Sequence, residues 1–181
     1  MLQILVQACE FWDPIKEEFI YTKEQKLTLE HSLVSLSKWE SIWKKPFLSP
    51  DKKTKEEMLS YVKCMTITQN VDDLIYKVIT DAQLLMIQQY IEDPMTATWF
   101  REDKNNKKIT RKVMTSEVIY NWMVNARIPF IPCEKWHLNR LLTLIRVYND
   151  TNNPKKMNRK EIAQQNAALN KARREKLHSK G

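Results

Sequence analysis

The stretch EKWHLNRLLTLIRVYN, residues 134–149, decides the fold class: Leu138, Leu141, Leu142, Ile145 and Tyr148 recur at intervals of three and four, so they share one helix face. A stripe this strong marks a central core helix. Upstream, Ile128-Pro129-Phe130-Ile131-Pro132 predicts an extended connection, because proline drives the residue before it out of the helical region. Residues 115–126 then read as a helix with Val118, Ile119, Trp122 and Met123 at core spacing.

Further toward the N-terminus, three short helices are predicted between residues 54 and 92. They open on a capping box at Thr54-Lys55-Glu56-Glu57, on Asn70 with Asp73, and on Thr80 with Gln83. A helix is expected from about Thr28 to Lys45, its stripe formed by Leu29, Leu33, Leu36, Trp39 or Glu40, and Trp43, with Pro46 imposing its end. Residues 2–8 are β-prone, and residues 18–22 form a second run that returns after the Asp13-Pro14 turn, predicting an N-terminal hairpin. Residues 96–114 read as a second small hairpin around an Asn-rich tip. The expected class is α+β, mostly α: a compact helical body over residues 1–150.

Gly181 is the only glycine, so Gly-rich phosphate-binding loops are excluded and turns must be built from Asn, Asp and Pro. That removes Rossmann, P-loop and kinase readings together. No apolar run approaches the ~18 residues that would span a membrane, so no membrane partner is expected. The first residues, MLQILVQACEFWD, lack the basic start and small-residue cleavage site of a signal peptide. Cys9, Cys64 and Cys133 are odd in number and widely spaced, which predicts buried free thiols in a reducing compartment rather than disulfides or a zinc site.

The formal charge of +8 is unevenly distributed. Residues 155–181 hold nine basic side chains (Lys155, Lys156, Arg159, Lys160, Lys171, Arg173, Arg174, Lys176, Lys180) against Glu161 and Glu175, a net +7. The preceding residues are left with +1. Residues 151–157 are therefore read as a polar linker and 158–181 as a basic C-terminal helix, in which Ile162, Leu169 and Leu177 supply little apolar surface.

His31, His137 and His178 have no Cys or carboxylate at metal-ligand spacing, so no metal or cofactor is expected. Cys133 with His137 is the one pairing worth weighing as nucleophile and base. Glu30-His31-Ser32 is a poorer one, because adjacent helical residues diverge. The acid pairs Glu17-Glu18, Glu56-Glu57 and Asp72-Asp73 fall at element ends, where carboxylates favour the helix dipole or stay solvated. Most tryptophans are expected in the core, with Trp99 at the second hairpin the candidate for an exposed contact. The basic helix is the main expected contact surface, for a protein partner, for self-association, or for nucleic acid through phosphate neutralisation.

Several blocks together carry a resemblance: Leu29 to Glu40 (LEHSLVSLSKWE) with Trp43 and Lys45-Pro46-Phe47-Leu48; Pro94-Met95-Thr96-Ala97-Thr98; Trp136 to Val147 (WHLNRLLTLIRV); Lys155-Lys156-Met157; and Asn166 to Asn170 (NAALN). The chain resembles, over nearly its whole length, small proteins encoded in the structural gene clusters of tailed bacteriophages, of the tail assembly chaperone type. The resemblance implies a non-enzymatic protein in the cytoplasm of an infected bacterium that binds the tape-measure protein while tail tube subunits polymerise around it. Two alternatives stay open: a virion component of the neck or head-to-tail joint, and a nucleic-acid-binding packaging accessory that uses the basic helix.

Overall fold

Leu27 and Leu29 decide where the first helix can begin. Both are fully buried, and they alternate with Lys26 and Thr28 as a strand does, not as a helix does. In a computed structural model of the chain, residues 1–13, 17–98, 100 and 113–152 are described, together with 163, 166, 167, 170 and 174. Contacts divide the chain into two units, Met1–Arg146 and Val147–Gly181. The core lies in the first.

Four strands open the chain: β1 (Leu2–Val6), β2 (Cys9–Asp13), β3 (Glu18–Thr22) and β4 (Gln25–Leu29). β1 pairs antiparallel with β4 from Leu2↔Leu29 to Val6↔Gln25, and β2 with β3 from Cys9↔Thr22 to Asp13↔Glu18. These are two separate two-stranded sheets, but the offset is the same in both ladders, so the second continues the register of the first as one ribbon interrupted at residues 7–8 and 23–24. The expected hairpin is present but longer: β1 pairs with residues 25–29, whereas 18–22 returns against β2. At the break between the ladders the Thr22 hydroxyl takes over, accepting from the Cys9 amide and donating to the Cys9 carbonyl, both at 3.1 Å. Helix α1 therefore covers Leu33–Trp43 instead of starting near Thr28, and Ser32 caps it in a reciprocal box with Ser35.

Helices α2 (Lys55–Met65), α3 (Asp73–Lys77) and α4 (Asp81–Glu92) match the three expected between 54 and 92, each opened by the side-chain oxygen of Thr54, Asp72 or Thr80. α5 (Ser116–Asn125) buries Ile119 and Met123. Phe130–Cys133 forms a single helical turn, α6, where an extended connection was expected; Ile131 alone keeps extended dihedrals, as the residue before a proline. α7 (Leu138–Asn152) buries Leu138, Leu141 and Ile145, and runs on through Thr151 and Asn152. The chain is thus α+β and mostly α. Of the second hairpin, residues 96–98, 100, 113 and 114 are described and none is in a strand. The rest of that prediction, Trp99 included, lies outside the described residues.

The core joins Ile4, Val6, Leu27 and Leu29 of the ribbon to Leu33, Leu36 and Trp39 of α1, Tyr61, Val62 and Met65 of α2, and the buried faces of α5 and α7. Trp39, Phe47 and Tyr61 form an aromatic centre: Phe47 stacks on Tyr61 at 3.7 Å between centroids and meets Trp39 edge-on at 5.0 Å. The Trp39 indole donates to the Glu57 carbonyl at 2.9 Å, so burying it leaves no donor unmet.

Glu40, on α1, is buried among these apolar side chains because it has work to do. Thr115 makes no side-chain cap bond at the start of α5, and the Glu40 carboxylate substitutes, accepting from the Ser116 amide at 2.8 Å and, through its other oxygen, from Phe47 at 3.1 Å. One side chain ties α1, the following loop and α5 together. Glu40→Ala is expected to lower unfolding stability in denaturant titrations by about 3 kcal/mol, as two charge-assisted bonds are lost and a buried donor is stranded. Glu40→Gln, which keeps an acceptor oxygen, should lose less.

With no glycine available, Lys44 ends α1 in the left-handed region at φ 54°. Lys44→Gly should therefore stabilise the protein, on the order of 1 kcal/mol, since glycine carries no Cβ penalty there. An unchanged or lower melting temperature would contradict this.

Candidate functional site

Two places in the first unit concentrate polar or uncovered chemistry. One is a buried cluster where β4 meets α1. The backbone there is held on both sides: the Glu30 amide donates to the Met65 carbonyl at 2.9 Å, and the Leu138 amide donates to the His31 carbonyl at 2.7 Å. His31 is 1% exposed, its Nδ1 lies 2.6 Å from the Tyr61 hydroxyl, and its ring meets that of His137 edge-on at 5.1 Å. Burial foremost, and then the neighbouring His137, push the His31 pKa down to about 3. This imidazole is neutral at physiological pH.

His137 is no freer. Its Nδ1 accepts the Asn139 amide at 3.3 Å, so the proton belongs on Nε2, which donates to the Tyr90 carbonyl at 3.0 Å. Both nitrogens are committed to backbone groups, which leaves no lone pair to activate Cys133; that thiol is itself buried. Tyr90 closes the cluster by donating its hydroxyl to Glu30 at 2.7 Å. Asn139 completes it by donating to the carbonyls of Ile91 and Asp93 at 2.9 and 2.7 Å, which covers the end of α4.

Beside the cluster is a hollow of about 320 Å³ lined by Glu30, Ser32, Ser35, Lys38, Cys64 and Lys135. The Cys64 thiol is half-buried, and burial raises its pKa against the pull of Lys38 and Lys63. A protonated thiol is a weak nucleophile. Among the described residues no buried side-chain polar atom lacks a hydrogen-bond partner, and no three His, Cys, Asp or Glu side chains are grouped to hold a metal ion. The histidines brought together here are those the sequence kept apart, and their bonds join α1, α2, α4 and α7.

The second place is the far half of the ribbon. Side chains alternate along a strand, so Glu10 and Trp12 on β2, and Phe19 and Tyr21 on β3, fall on the side where Ile4, Val6, Leu27 and Leu29 meet the core. Those four are at most 4% exposed, whereas Trp12 is 50%, Phe19 57% and Tyr21 71% exposed. On the opposite face of this second ladder Phe11 and Ile20 are half-buried and Thr22 is buried, so the exposed aromatics occupy its uncovered side. Trp12 and Phe19 are cross-strand partners whose rings meet edge-on at 5.0 Å. The carboxylate of Glu10, opposite Tyr21, raises the tyrosine pKa through a hydrogen bond.

Sequence patterning placed most tryptophans in the core. That holds for Trp39, which is buried, and for Trp43, Trp122 and Trp136, which pack partly buried against the core. Trp12 departs from it, and so does Cys9, an exposed thiol where burial was expected. The missed signal was the apolar content on both faces of the two strands, Phe11-Trp12 and Phe19-Ile20-Tyr21, which is more than one buried face needs. Of the basic residues singled out in the tail, Arg174 is described, helical and exposed; Lys155, Lys156, Arg159, Lys160, Lys171, Arg173 and Lys176 lie outside the described residues. Among the described residues no helix is long and apolar enough to cross a membrane. No protein-family model, characterised protein or solved structure matches this chain.

The histidine cluster has a measurable consequence. The unfolded chain takes up a proton on His31 near the ordinary value of 6.5, whereas the folded chain does so only at about 3. Stability is therefore intact above pH 6.5 and falls as the pH drops from 6.5 toward 3, by up to about 1.4 kcal/mol per pH unit from this residue. Chemical denaturation at stepped pH checks the slope, and NMR should show His31 still neutral at pH 5. A His31 resonance titrating near 6.5 would refute the assignment.

Proposed function

We propose that this chain is a non-enzymatic phage tail morphogenesis protein, a tail assembly chaperone that holds the tape-measure protein during assembly. The observation that carries a docking role is the uncovered aromatic face of the ribbon. Trp12, Phe19 and Tyr21 stand exposed on a two-stranded element, and such an element is at best marginally stable without something packed against it. The buried polar groups support the same reading, since their hydrogen bonds are spent on one another and on the backbone, the arrangement of a structural cluster. What makes the partner a tape-measure chain is the resemblance carried by residues 29–48, 94–98, 136–147 and the tail. An assembly chaperone needs exposed surface, many copies and release, and no bond-making chemistry.

The test is co-expression with the tape-measure protein of the same phage. The two should co-purify, the tape-measure chain should stay soluble only in the presence of this protein, and mass spectrometry of finished particles should not detect it. Stoichiometric presence in particles would favour the neck or joining protein instead. Binding to duplex DNA that weakens steeply with salt, without tape-measure binding, would favour the packaging accessory.

A further inference from the structure

Helix α4 is the least embedded of the longer helices. Of its twelve residues only Ile87 is buried, whereas five of eleven are buried in α1. Its first turn is tied by an exposed ion pair, Lys55 to Asp81 at 3.1 Å, and by Gln83, which donates to the Leu5 carbonyl at 2.8 Å. Such a surface ion pair stabilises little. The last turn is held by four hydrogen bonds: Tyr90 donates to Glu30, His137 to the Tyr90 carbonyl, and Asn139 to the carbonyls of Ile91 and Asp93. Three of the four come from residues 137 and 139, at the start of α7.

His137 holds two helix ends at once, and both contacts need a neutral ring. Its carbonyl accepts the Leu141 amide at 3.1 Å and its Nδ1 accepts the Asn139 amide at 3.3 Å, so this imidazole caps α7 while Nε2 holds α4. A proton on Nδ1 removes the acceptor, sets one N–H against another, and places a positive charge at the positive end of the helix dipole. His31, buried 5.1 Å away ring to ring, repels any charge there when it is itself charged. The other groups around the pair are committed. The Tyr61 hydroxyl lies 2.6 Å from His31, Glu30 holds Tyr90 on one oxygen and has the Met1 ammonium 3.2 Å from the other, Asp93 accepts the Met95 amide, and Glu134 accepts the Tyr120 hydroxyl. We propose that α4 is an acid-released flap, freed from the body when the His31 and His137 pair takes up a proton, while the rest of the fold holds. Release lets water reach both rings and bares Ile87 with the partly buried Leu84, Tyr90 and Ile91. This opening is local, so it precedes the overall loss of stability that His31 imposes, and it is independent of the tape-measure reading.

The closed flap needs the pair neutral, whereas the open flap takes up a proton at the ordinary histidine value of about 6.5, so opening grows as the pH falls below that value. Amide hydrogen exchange of the full-length protein, read by NMR and corrected at each pH for the intrinsic exchange rate, measures it directly. At pH 7 the α4 amides should already be less protected than those of α1 and α2. Between pH 6 and 4.5 their protection should fall at least about tenfold, as uptake of one proton requires, and stay below that of α1 and α2 throughout. His137→Gln keeps a side-chain N–H for the Tyr90 carbonyl and does not titrate, so it should flatten that fall, with the α1 amides reporting that the body is folded. Three results would each overturn the proposal: α4 amides as protected as those of α1 at every pH, α4 protection that is constant from pH 6 to 4.5, or a folded His137→Gln protein whose α4 follows the wild-type slope. The wild-type measurements decide the question even where the variant does not fold. None of these outcomes bears on tape-measure binding, which is read separately by co-purification.

Discussion

The structure depends on the backbone junction at Glu30 and His31, where the ribbon ends and the first helix begins. Two hydrogen bonds leave these adjacent residues in different directions, one to the end of α2 at Met65 and one to the start of α7 at Leu138. Because β4 is bonded into the ribbon as well, the junction sets the positions of three elements distant in sequence. The side chains reinforce it: His31 reaches Tyr61, Glu30 receives Tyr90, and His137 reaches the Tyr90 carbonyl. A polar centre of this kind is expensive to bury and stable only when every group is paired, which explains why its histidines are locked into single roles.

Around that junction the body satisfies itself with few special devices. Helices α1 to α4 are capped at their starts by Ser32, Thr54, Asp72 and Thr80, whereas α5 borrows the Glu40 carboxylate from α1. The near absence of glycine moves left-handed positions onto Lys44, Asn70, Met95 and Arg127, among others. Each non-glycine residue held there carries a small conformational cost that core packing must offset.

The ribbon contrasts with this self-sufficiency. Its near half is the wall of the core, and its far half covers Thr22 while leaving Trp12, Phe19 and Tyr21 exposed on the other face. One continuous register carries both kinds of residue: Ile4, Val6, Leu27 and Leu29 pack in the core, and Trp12, Phe19 and Tyr21 stand exposed. Charge is uneven along the sequence as well, with residues 155–181 carrying +7 of the total +8.

Helix stripes and caps were legible by inspection, because a helix is a local object: 3.6-residue periodicity and the Thr54 and Thr80 capping boxes are complete within a dozen residues. The sequence by itself determined the α+β, mostly helical class, the placement of α2 to α5 and α7, and the concentration of positive charge beyond Pro154. It misassigned Thr28 and Leu29 to a helix, since i, i+4 spacing from Leu29 to Leu33 imitates a helical stripe; the long-range ladder with β1 and the bond to Met65 settle that segment as strand. Only the tertiary structure decided that His31 and His137 meet, that Glu40 caps a helix 76 residues away, and that Trp12 is exposed while Trp39 is buried. Each of these depends on what another part of the chain brings to the same place, and periodicity along one segment carries no record of it.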